Sequence, residues 1–313
     1  MACRLSRSNC HYNYTFLKAI DKWHAGFLLC LSLNYFTLHP SPYFQRSKKM
    51  VIVDTHCHVS QGWYEPLEGL LYQMDHNNVE HALLVQIGGQ TDNRYQAECV
   101  RRYPDRLTSI VLVDPNSPTV LQDLEQLAEE GATGARLHAG DRSPGDDPLA
   151  IWRKSQALQL QISCRGGLND FAADDFEQLV RALPNLNIII EHLGGVKEAN
   201  SPEPPYSLAE KVFGLSRYKN TYMKIHGLGE FCSRAMPVSQ PFPFKQPIPP
   251  FLDMVYNTFG PERIMWGSDF PPVSGREGYK NALELTKAQL SDKSDKDLAQ
   301  IFGGTALKLF RFS

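Results

Sequence analysis

The side chains best suited to catalysis or metal binding lie in two short sequence motifs that are far apart in the chain. His56 and His58 follow an apolar run at residues 51–53, and Asp269 follows another at residues 263–266. On a β-strand residues i and i+2 face the same side, so the two imidazoles are expected to point together. Two imidazoles at a strand end form half of a divalent-metal site, and a carboxylate from another strand extends it. These residues predict an enzyme with a polar, metal-capable centre.

A repeating pattern of strand-like and helix-like segments predicts a fold that would bring the two motifs together. Helix-like segments, such as residues 118–130 and 174–183, alternate with short apolar, β-branched runs. Eight strands alternating with helices favour a (β/α)8 TIM barrel over a doubly wound sheet, and in a barrel the first and last strands are neighbours. The eight predicted strands are residues 51–53, 82–87, 108–113, 133–137, 158–163, 187–191, 221–225 and 263–266.

In a TIM barrel the catalytic groups lie at the C-terminal ends of the strands. Beyond the residues named above, these predicted ends carry one further candidate for catalysis, His192, and five candidates for substrate binding, Arg136, His138, Arg165, Lys224 and His226. The two arginines and the lysine, if they face inward, would clamp a carboxylate and favour a small anionic substrate. The alternative is that they reach outward into salt bridges between helices and strands.

Together these motifs resemble the amidohydrolase-related family of the amidohydrolase superfamily. The resemblance runs from about residue 50 to the end, and its motifs are His56-x-His58, His192-Leu193-Gly194-Gly195 and Trp266-Gly267-Ser268-Asp269-Phe270-Pro271. It implies a distorted TIM barrel with a mononuclear site, usually zinc. His56, His58 and Asp269 would form this centre, and His192 would polarise substrate or water. Family members include lactonases acting on sugar acids and pyrone dicarboxylate, aminocarboxymuconate semialdehyde decarboxylase and resorcylate-type decarboxylases.

One departure from the family pattern leaves the metal open. Metal-dependent relatives usually supply another histidine from the fifth strand, whereas this chain has Ser163-Cys164-Arg165 there. Either Cys164 or His192 completes the metal shell, or the site is weak or metal-free, as in some lactonases of the family. A thiolate is a sound zinc ligand, although a lone cysteine is more often a small buried hydrophobe.

Two other residues of the first strand lie beside the histidine pair. Cys57 is expected to point away from its flanking histidines into the packing of the barrel. Asp54 is expected on the same face as His56. There it would either orient an imidazole as a hydrogen-bond acceptor or simply mark the start of the strand.

Three functions are compatible with these residues. In the first, a metal-bound or histidine-oriented water attacks a lactone, ester or amide, and Asp269 takes the proton from that water. The second is non-oxidative decarboxylation of an aromatic or enoic acid, in which Asp269 or His192 protonates carbon. The absent fifth-strand histidine favours the lactonase-like branch, because the decarboxylases of the family depend on their metal. The third is a non-catalytic binding barrel, which the presence of the histidine pair and Asp269 disfavours.

Composition predicts a barrel domain at residues 50–313. The chain has 313 residues, of which 42% are hydrophobic and 21% charged, and its net charge of −2 disfavours nucleic acid as a partner. Residues 1–49 are expected to form an extension outside the domain, either from a misassigned start or as a weak targeting segment. Their apolar stretch at residues 25–38 is too short to span a bilayer. Seven scattered cysteines predict reduced thiols in a cytoplasmic protein, and a homodimer is expected only from the family.

Overall fold

A barrel of eight parallel strands organises the chain. The computed structural model describes residues 50–238 and 242–312, so the predicted extension at residues 1–49 lies outside the described residues. Neighbouring strands pair in chain order from first to last. Each predicted apolar run overlaps one strand, and the (β/α)8 fold is confirmed. The strands are β1 (Val53–Cys57), β2 (His81–Val85), β3 (Leu107–Val111), β4 (Gly134–His138), β5 (Gln161–Arg165), β6 (Ile188–Ile190), β7 (Thr221–Ile225) and β8 (Ile264–Trp266).

Helices cover the outside of the strands. In the helix Asp174–Ala182, Phe176, Leu179 and Val180 recur at helical spacing and are buried, while acidic residues occupy its first turn, where the helix dipole favours them. No helix among the described residues has the length and apolarity to cross a bilayer. The helices are α1 (Leu67–His76), α2 (Arg94–Arg102), α3 (Val120–Glu129), α4 (Ala150–Ala157), α5 (Leu168–Phe171), α6 (Asp174–Ala182), α7 (Ser207–Phe213), α8 (Phe251–Phe259), α9 (Tyr279–Gln289), α10 (Asp295–Ala299) and α11 (Thr305–Leu309).

The inward-facing side chains change from apolar to polar along the strands. An apolar cluster joins residues of six strands to Ala306 and Phe310 of the C-terminal segment, and it includes Val53, Leu83, Val85, Ile110, Ile189, Tyr222 and Met265. Further along, the buried residues of β4, β5 and β7 include Arg136, Ser163 and Lys224. Buried polar groups need hydrogen-bond partners, so this second half of the interior must be a connected network.

An extra residue distorts β1 just before the histidine pair. Asp54 of β1 pairs with Ala82 and Cys57 with Leu84, so three steps on β1 match two on β2. A bulge of this kind re-aims the side chains that follow it. Val53 therefore belongs to the inner cluster, whereas Cys57 packs in the outer core between strands and helices.

The turn after β8 closes the barrel against β1. His58 N donates to Phe270 O at 2.8 Å, Asp269 N donates to His56 O at 2.7 Å, and Cys57 forms a parallel bridge with Phe270. Gly267 allows this approach, because a Cβ there would lie 2.6 Å from the Cβ of His56. The segment with His56 and His58 and the segment with Asp269 are thus joined by backbone hydrogen bonds, as the barrel prediction required.

Candidate active site

A cleft of about 780 Å³ opens at the C-terminal ends of the strands. The segments that follow most of the strands contribute to its walls. Its charged lining consists of the cations Arg136, Arg165, Lys197 and Arg276 and the anions Glu230 and Asp269, and its aromatic lining includes Trp63 and Tyr64. The cleft is therefore suited to a small polar or charged ligand with a flat or cyclic part.

Four histidines and one aspartate form a compact group that we call the His–Asp cluster: His56, His58, His192, His226 and Asp269. The Oδ1 atom of Asp269 lies 3.4 Å from His58 Nε2 and 3.7 Å from His56 Nε2. The His56 ring contacts those of His58, His192 and His226 at centroid distances of 4.9, 4.8 and 5.1 Å. The i, i+2 pairing of His56 with His58, and its meeting with Asp269, agree with the sequence prediction.

The backbone fixes which nitrogen of two of these rings faces the cluster. His58 Nδ1 lies 2.6 Å from Val85 O, and His226 Nδ1 lies 2.8 Å from Gly267 O. A carbonyl oxygen only accepts, so in both rings Nδ1 carries a hydrogen and Nε2 is turned toward the cluster. A backbone acceptor of this kind orients many metal-binding histidines.

The cluster has the donor set of a divalent-metal site. His58 Nε2 and Asp269 Oδ1 face each other at 3.4 Å, so a proton or a cation can lie between the two atoms. The Nε2 atoms of His56 and His226 are buried and have no hydrogen-bond partner among the described residues. Two sets of ligand atoms lie mutually within 4.8 Å, His56–His58–Asp269 and His56–His192–His226. Imidazole with carboxylate is a donor set that suits zinc.

Burial keeps three of the imidazoles neutral. It lowers the pKa of His192 to about 4 and that of His226 to about 3, and it lowers the pKa of His56 well below its usual value. Burial also raises the pKa of Asp269, but the hydrogen bond from His58 and the nearby histidines outweigh that effect and hold it below its usual range. At neutral pH His56, His192 and His226 are therefore neutral and Asp269 is ionised, the forms that ligate metal.

Two members of the cluster, His192 and Asp269, have a left-handed backbone conformation. His192 and Leu193 have φ of 52° and 53°, and Gly194 and Gly195 continue the same left-handed turn after β6. Asp269 has φ of 58°. Non-glycine residues reach this region at a cost of about 1–2 kcal/mol. The turn stacks the His192 ring on that of His226, with centroids 4.3 Å apart.

A guanidinium holds the second carboxylate oxygen of Asp269. Arg276 Nη1 donates to Asp269 Oδ2 at 2.7 Å and to Glu230 Oε2 at 2.6 Å. Glu230 Oε1 in turn lies 3.5 Å from His192 Nδ1 and 3.2 Å from Lys197 Nζ. Asp269 is thereby fixed with Oδ1 toward the imidazoles.

A fully buried ionic network lies next to His56. Glu191 accepts from Arg136 Nε at 3.0 Å, from Arg136 Nη2 at 2.8 Å and from Ser163 Oγ at 2.7 Å, and Lys224 Nζ donates to the same Ser163 Oγ at 2.8 Å. Lys224 Nζ also lies 3.3 Å from His56 Nδ1. Burial raises the pKa of Glu191, but the charges of Arg136 and Lys224 outweigh that effect and hold it below the usual value. Burial lowers the pKa of Lys224 to about 8.

The five residues predicted to bind substrate divide into three groups. Arg136 and Arg165 line the cleft, and within the described chain Arg165 forms no ion pair, whereas Arg136 is bound by Glu191. Lys224 beside the His–Asp cluster and His226 within it are fully buried and do not line the cleft. His138 is turned toward the β4 loop, where its Nδ1 accepts from Gly140 N and its Nε2 lies 3.5 Å from Asp170.

Cys164 is not placed to complete a metal shell. It is buried in the outer core cluster, and it belongs to none of the potential metal-binding groups among the described residues. Its neighbours Ser163 and Arg165 face the interior instead, as strand alternation requires. Of the two residues predicted to complete the metal shell, His192 rather than Cys164 belongs to a potential metal-binding group. That group also contains His56 and His226, the latter from the end of β7.

Sequence reasoning missed three charged residues of the site, Glu191, Glu230 and Arg276. Glu191 directly follows the isoleucine run of β6, and its place at a strand end was a usable signal. Glu230 and Arg276 lie in loops after β7 and β8, where no hydrophobic periodicity of a strand or helix indicates which side chains face the site. Asp54 also differs from expectation: its carboxylate accepts from Ser268 N, Ser268 Oγ and Tyr279 OH, because the bulge turns it away from the face of His56.

Comparison with known proteins agrees with this geometry. The amidohydrolase family model matches residues 53–312. An L-fucono-1,5-lactonase from Burkholderia ambifaria is 25% identical over 257 residues, which cover 79% of this chain and 84% of the relative.

Two solved structures share the barrel. One from Pseudomonas putida, assigned as a 2-pyrone-4,6-dicarboxylic acid hydrolase, has a TM-score of 0.65 and 24% identity and covers 84% of this chain and 98% of its own. A 5-carboxyvanillate decarboxylase from Sphingomonas paucimobilis has a TM-score of 0.56 and 15% identity and covers 84% of this chain and 100% of its own. These likenesses show the fold alone.

A TIM barrel with a His–Asp cluster at the C-terminal ends of its strands defines the class of enzyme to which this chain belongs. The match over residues 53–312 makes it a member of the amidohydrolase family. Membership covers both hydrolytic and decarboxylating relatives, so the reaction itself has to be argued from the site.

Proposed function

We propose that this chain is a hydrolase that opens a lactone of a small anionic substrate, using water activated at the His–Asp cluster. The observation that carries the proposal is the position of Asp269 Oδ1, 3.4 Å from His58 Nε2 and 3.7 Å from His56 Nε2 in the cleft. A carboxylate so placed can accept a proton from water held by the imidazoles and return it to the leaving oxygen. The L-fucono-1,5-lactonase relative supports a lactone as the bond that is opened.

A divalent ion, with zinc first among the candidates, fits the donor set of the cluster. His56, His58 and Asp269 would hold it, with His192 or His226 as a further ligand. When bound, such an ion polarises the carbonyl and lowers the pKa of water toward about 7.

The residues of the chain divide the remaining work. Asp269 takes the proton from the attacking water and delivers it to the leaving oxygen, while Arg276 keeps its Oδ1 turned toward the imidazoles. His192, which lines the cleft, donates to or orients the carbonyl oxygen of the substrate. Arg165, whose charge is not neutralised by an ion pair in the described chain, binds the carboxylate of the substrate.

Product analysis on a substrate panel tests the proposed reaction. The panel contains 1,4- and 1,5-lactones of sugar acids, a carboxylated pyrone, carboxylated esters and amides, and aromatic acids. We expect one equivalent of acid per turnover from at least one lactone, with kcat/KM of about 10⁴ M⁻¹s⁻¹ or more. Carbon dioxide from an aromatic or enoic acid, without opening of any lactone, would establish decarboxylation instead.

The metal content of the protein should depend on His56 and His58, the histidine pair at the end of the first strand. We expect purified wild-type protein to hold about one zinc or manganese ion per chain, and the double variant His56→Ala/His58→Ala to hold almost none, because it loses two of the nitrogen ligands. Elemental analysis of both proteins measures this directly.

A matched control separates the site from histidine content in general. His76→Ala/His81→Ala removes two histidines whose Nδ1 atoms contact backbone carbonyls outside the cluster, and it should retain the metal. A folded wild type that opens a lactone and contains no metal would show that the hydrolase works with histidine-oriented water alone.

Removing Arg165, the cleft cation that forms no ion pair within the described residues, should weaken binding of an anionic substrate. We expect Arg165→Met to raise KM about 10–100-fold with kcat nearly unchanged, since a charge-assisted hydrogen bond contributes about 1.5–3 kcal/mol. Steady-state kinetics on the best lactone of the panel, with Arg153→Met at an exposed ion pair as control, measures the effect. An unchanged KM would remove Arg165 from the substrate site.

A further inference from the structure

The carboxylate of Asp54 is fully enclosed on the side of β1 that faces away from the cleft. Its Oδ1 atom accepts from His56 N at 3.1 Å and from Ser268 N at 2.8 Å. Its Oδ2 atom accepts from Ser268 Oγ at 2.6 Å and from Tyr279 OH, on α9, at 2.8 Å. One buried carboxylate therefore joins the backbone of the histidine motif to the turn that carries Asp269.

The same hydrogen bonds reach both neighbours of Asp269 in the chain. The N–H groups of residues 268, 269 and 270 donate in turn to Asp54 Oδ1 at 2.8 Å, His56 O at 2.7 Å and Ser268 Oγ at 2.9 Å. Because Ser268 Oγ accepts from Phe270 N, its own hydrogen is free to be donated to Asp54 Oδ2. Two of the three acceptors in this turn thus belong to the Asp54–Ser268 pair.

The backbone of Asp269 needs this support. Its φ of 58° lies in the left-handed region, which residues with a Cβ enter only at a cost in free energy. Such a conformation persists where the surrounding structure holds it. Here Asp54 and Ser268 hold the peptide groups on both sides of Asp269. The distances from Asp269 Oδ1 to the imidazoles, 3.4 Å for His58 Nε2 and 3.7 Å for His56 Nε2, are therefore set in part from behind the strand.

We propose that Asp54 is a positioning residue for catalysis, which acts with Ser268 and Tyr279 to hold Asp269 against the imidazoles. The inference rests on the proposed role of Asp269 as the proton acceptor, and it adds the group that keeps this acceptor in place. Asp54 does not line the cleft, so its effect is on turnover and not on substrate binding. A displacement of reacting groups by about 1 Å can lower a rate about 10²-fold.

Steady-state kinetics on three variants of the full chain tests the inference. Ser268→Ala removes the hydroxyl between Asp54 Oδ2 and Phe270 N, and Asp54→Asn replaces one carboxylate oxygen by an amide nitrogen that cannot accept from the hydroxyls. We expect both to lower kcat about 10–100-fold on the best lactone of the panel, with KM changed less than about twofold. Tyr279→Phe keeps the ring and loses one hydrogen bond, so it should show a smaller loss of the same kind.

A buried polar residue far from the turn controls for stability. The Asn220 side chain donates to the carbonyl oxygens of Val180, Leu183 and Leu186 just before β7. Asn220→Ala should therefore lower the midpoint of chemical denaturation, as the three variants do, but leave kcat and KM unchanged. Circular dichroism establishes that each variant is folded.

Amide hydrogen exchange measures the positioning without a substrate. We expect peptides that contain residues 267–270 to exchange about tenfold faster in Ser268→Ala and Asp54→Asn than in the wild type, because the N–H groups of the turn lose acceptors or are held less firmly. The same peptides should exchange at the wild-type rate in Asn220→Ala.

The two measurements separate failure of the inference from failure of the proposed function. Wild-type kcat in folded Ser268→Ala and Asp54→Asn, or an equal loss of kcat in Asn220→Ala, would overturn the inference and leave lactone opening intact. A wild type that opens no lactone would overturn the proposed function, and exchange at residues 267–270 would then decide the positioning. Unchanged exchange in both variants would overturn it, and faster exchange confined to them would support it.

Discussion

Asp269→Asn should lower kcat about 10³–10⁴-fold with little change in KM. The asparagine keeps the size of the side chain and one carbonyl oxygen, but it can no longer accept a proton from water. The effect should be confined to turnover, because Asp269 N remains bound to His56 O and the backbone of the turn is preserved. Steady-state kinetics on the best lactone of the panel gives both constants.

A second aspartate at a strand end serves as the control. Asp114 follows β3, is exposed, and accepts from Asn116 N within its own turn, so Asp114→Asn should leave kcat nearly unchanged. Metal content of Asp269→Asn must be measured alongside, to distinguish loss of the base from loss of the ion. An Asp269→Asn protein with wild-type turnover would assign the proton transfer elsewhere, and a wild type inactive on the whole panel would favour a binding barrel.

Glu191→Ala should reduce the free energy of unfolding by about 3–5 kcal/mol, the largest stability effect we expect for a single substitution in the site. The carboxylate accepts three hydrogen bonds from Arg136 and one from Ser163, and it is the anion nearest to Lys224 in the network. Its removal leaves two buried cations without a counter-charge, and burial of an unpaired charge is costly. Chemical denaturation followed by circular dichroism measures the change.

The matched control is an exposed glutamate that also pairs with an arginine. Glu68 accepts from Arg102 at 3.1 Å on the surface, so Glu68→Ala should leave the free energy of unfolding nearly unchanged, because solvent screens that pair. A Glu191→Ala protein as stable as the Glu68→Ala control would show that the buried network does not hold the barrel interior together.

The features predicted from the sequence are those that depend on local periodicity. Strand alternation placed His56 and His58 together, and barrel closure brought Asp269 to them, because both rules act within a few residues or follow from the order of the strands. The same alternation wrongly predicted that Asp54 lies on the same face of β1 as His56. The sequence carries no sign of the extra residue in the β1 bulge, which arises from pairing with β2.

The parts that could not be predicted depend on which charges meet across the barrel. His226 was expected to bind substrate, yet its ring lies buried among the other imidazoles, because the turn after β8 accepts its Nδ1 hydrogen at Gly267 O. Arg136 and Lys224 face inward, but Arg136 is bound by Glu191 and the fully buried Lys224 donates to Ser163. Arg165 is then the cleft cation that has no ion pair among the described residues. Partners separated by 41 residues, as for His226 and Gly267, or by 55, as for Arg136 and Glu191, leave no local pattern in the chain.

Isotope incorporation tests the central claim most directly. Turnover of the best substrate in H₂¹⁸O, followed by mass spectrometry of the product, shows whether water attacks a carbonyl. The account predicts one ¹⁸O atom in the new carboxylate of each product molecule and no carbon dioxide, with the signal lost in Asp269→Asn. Carbon dioxide release, with a product that carries no ¹⁸O in a new carboxylate, would contradict it and establish decarboxylation.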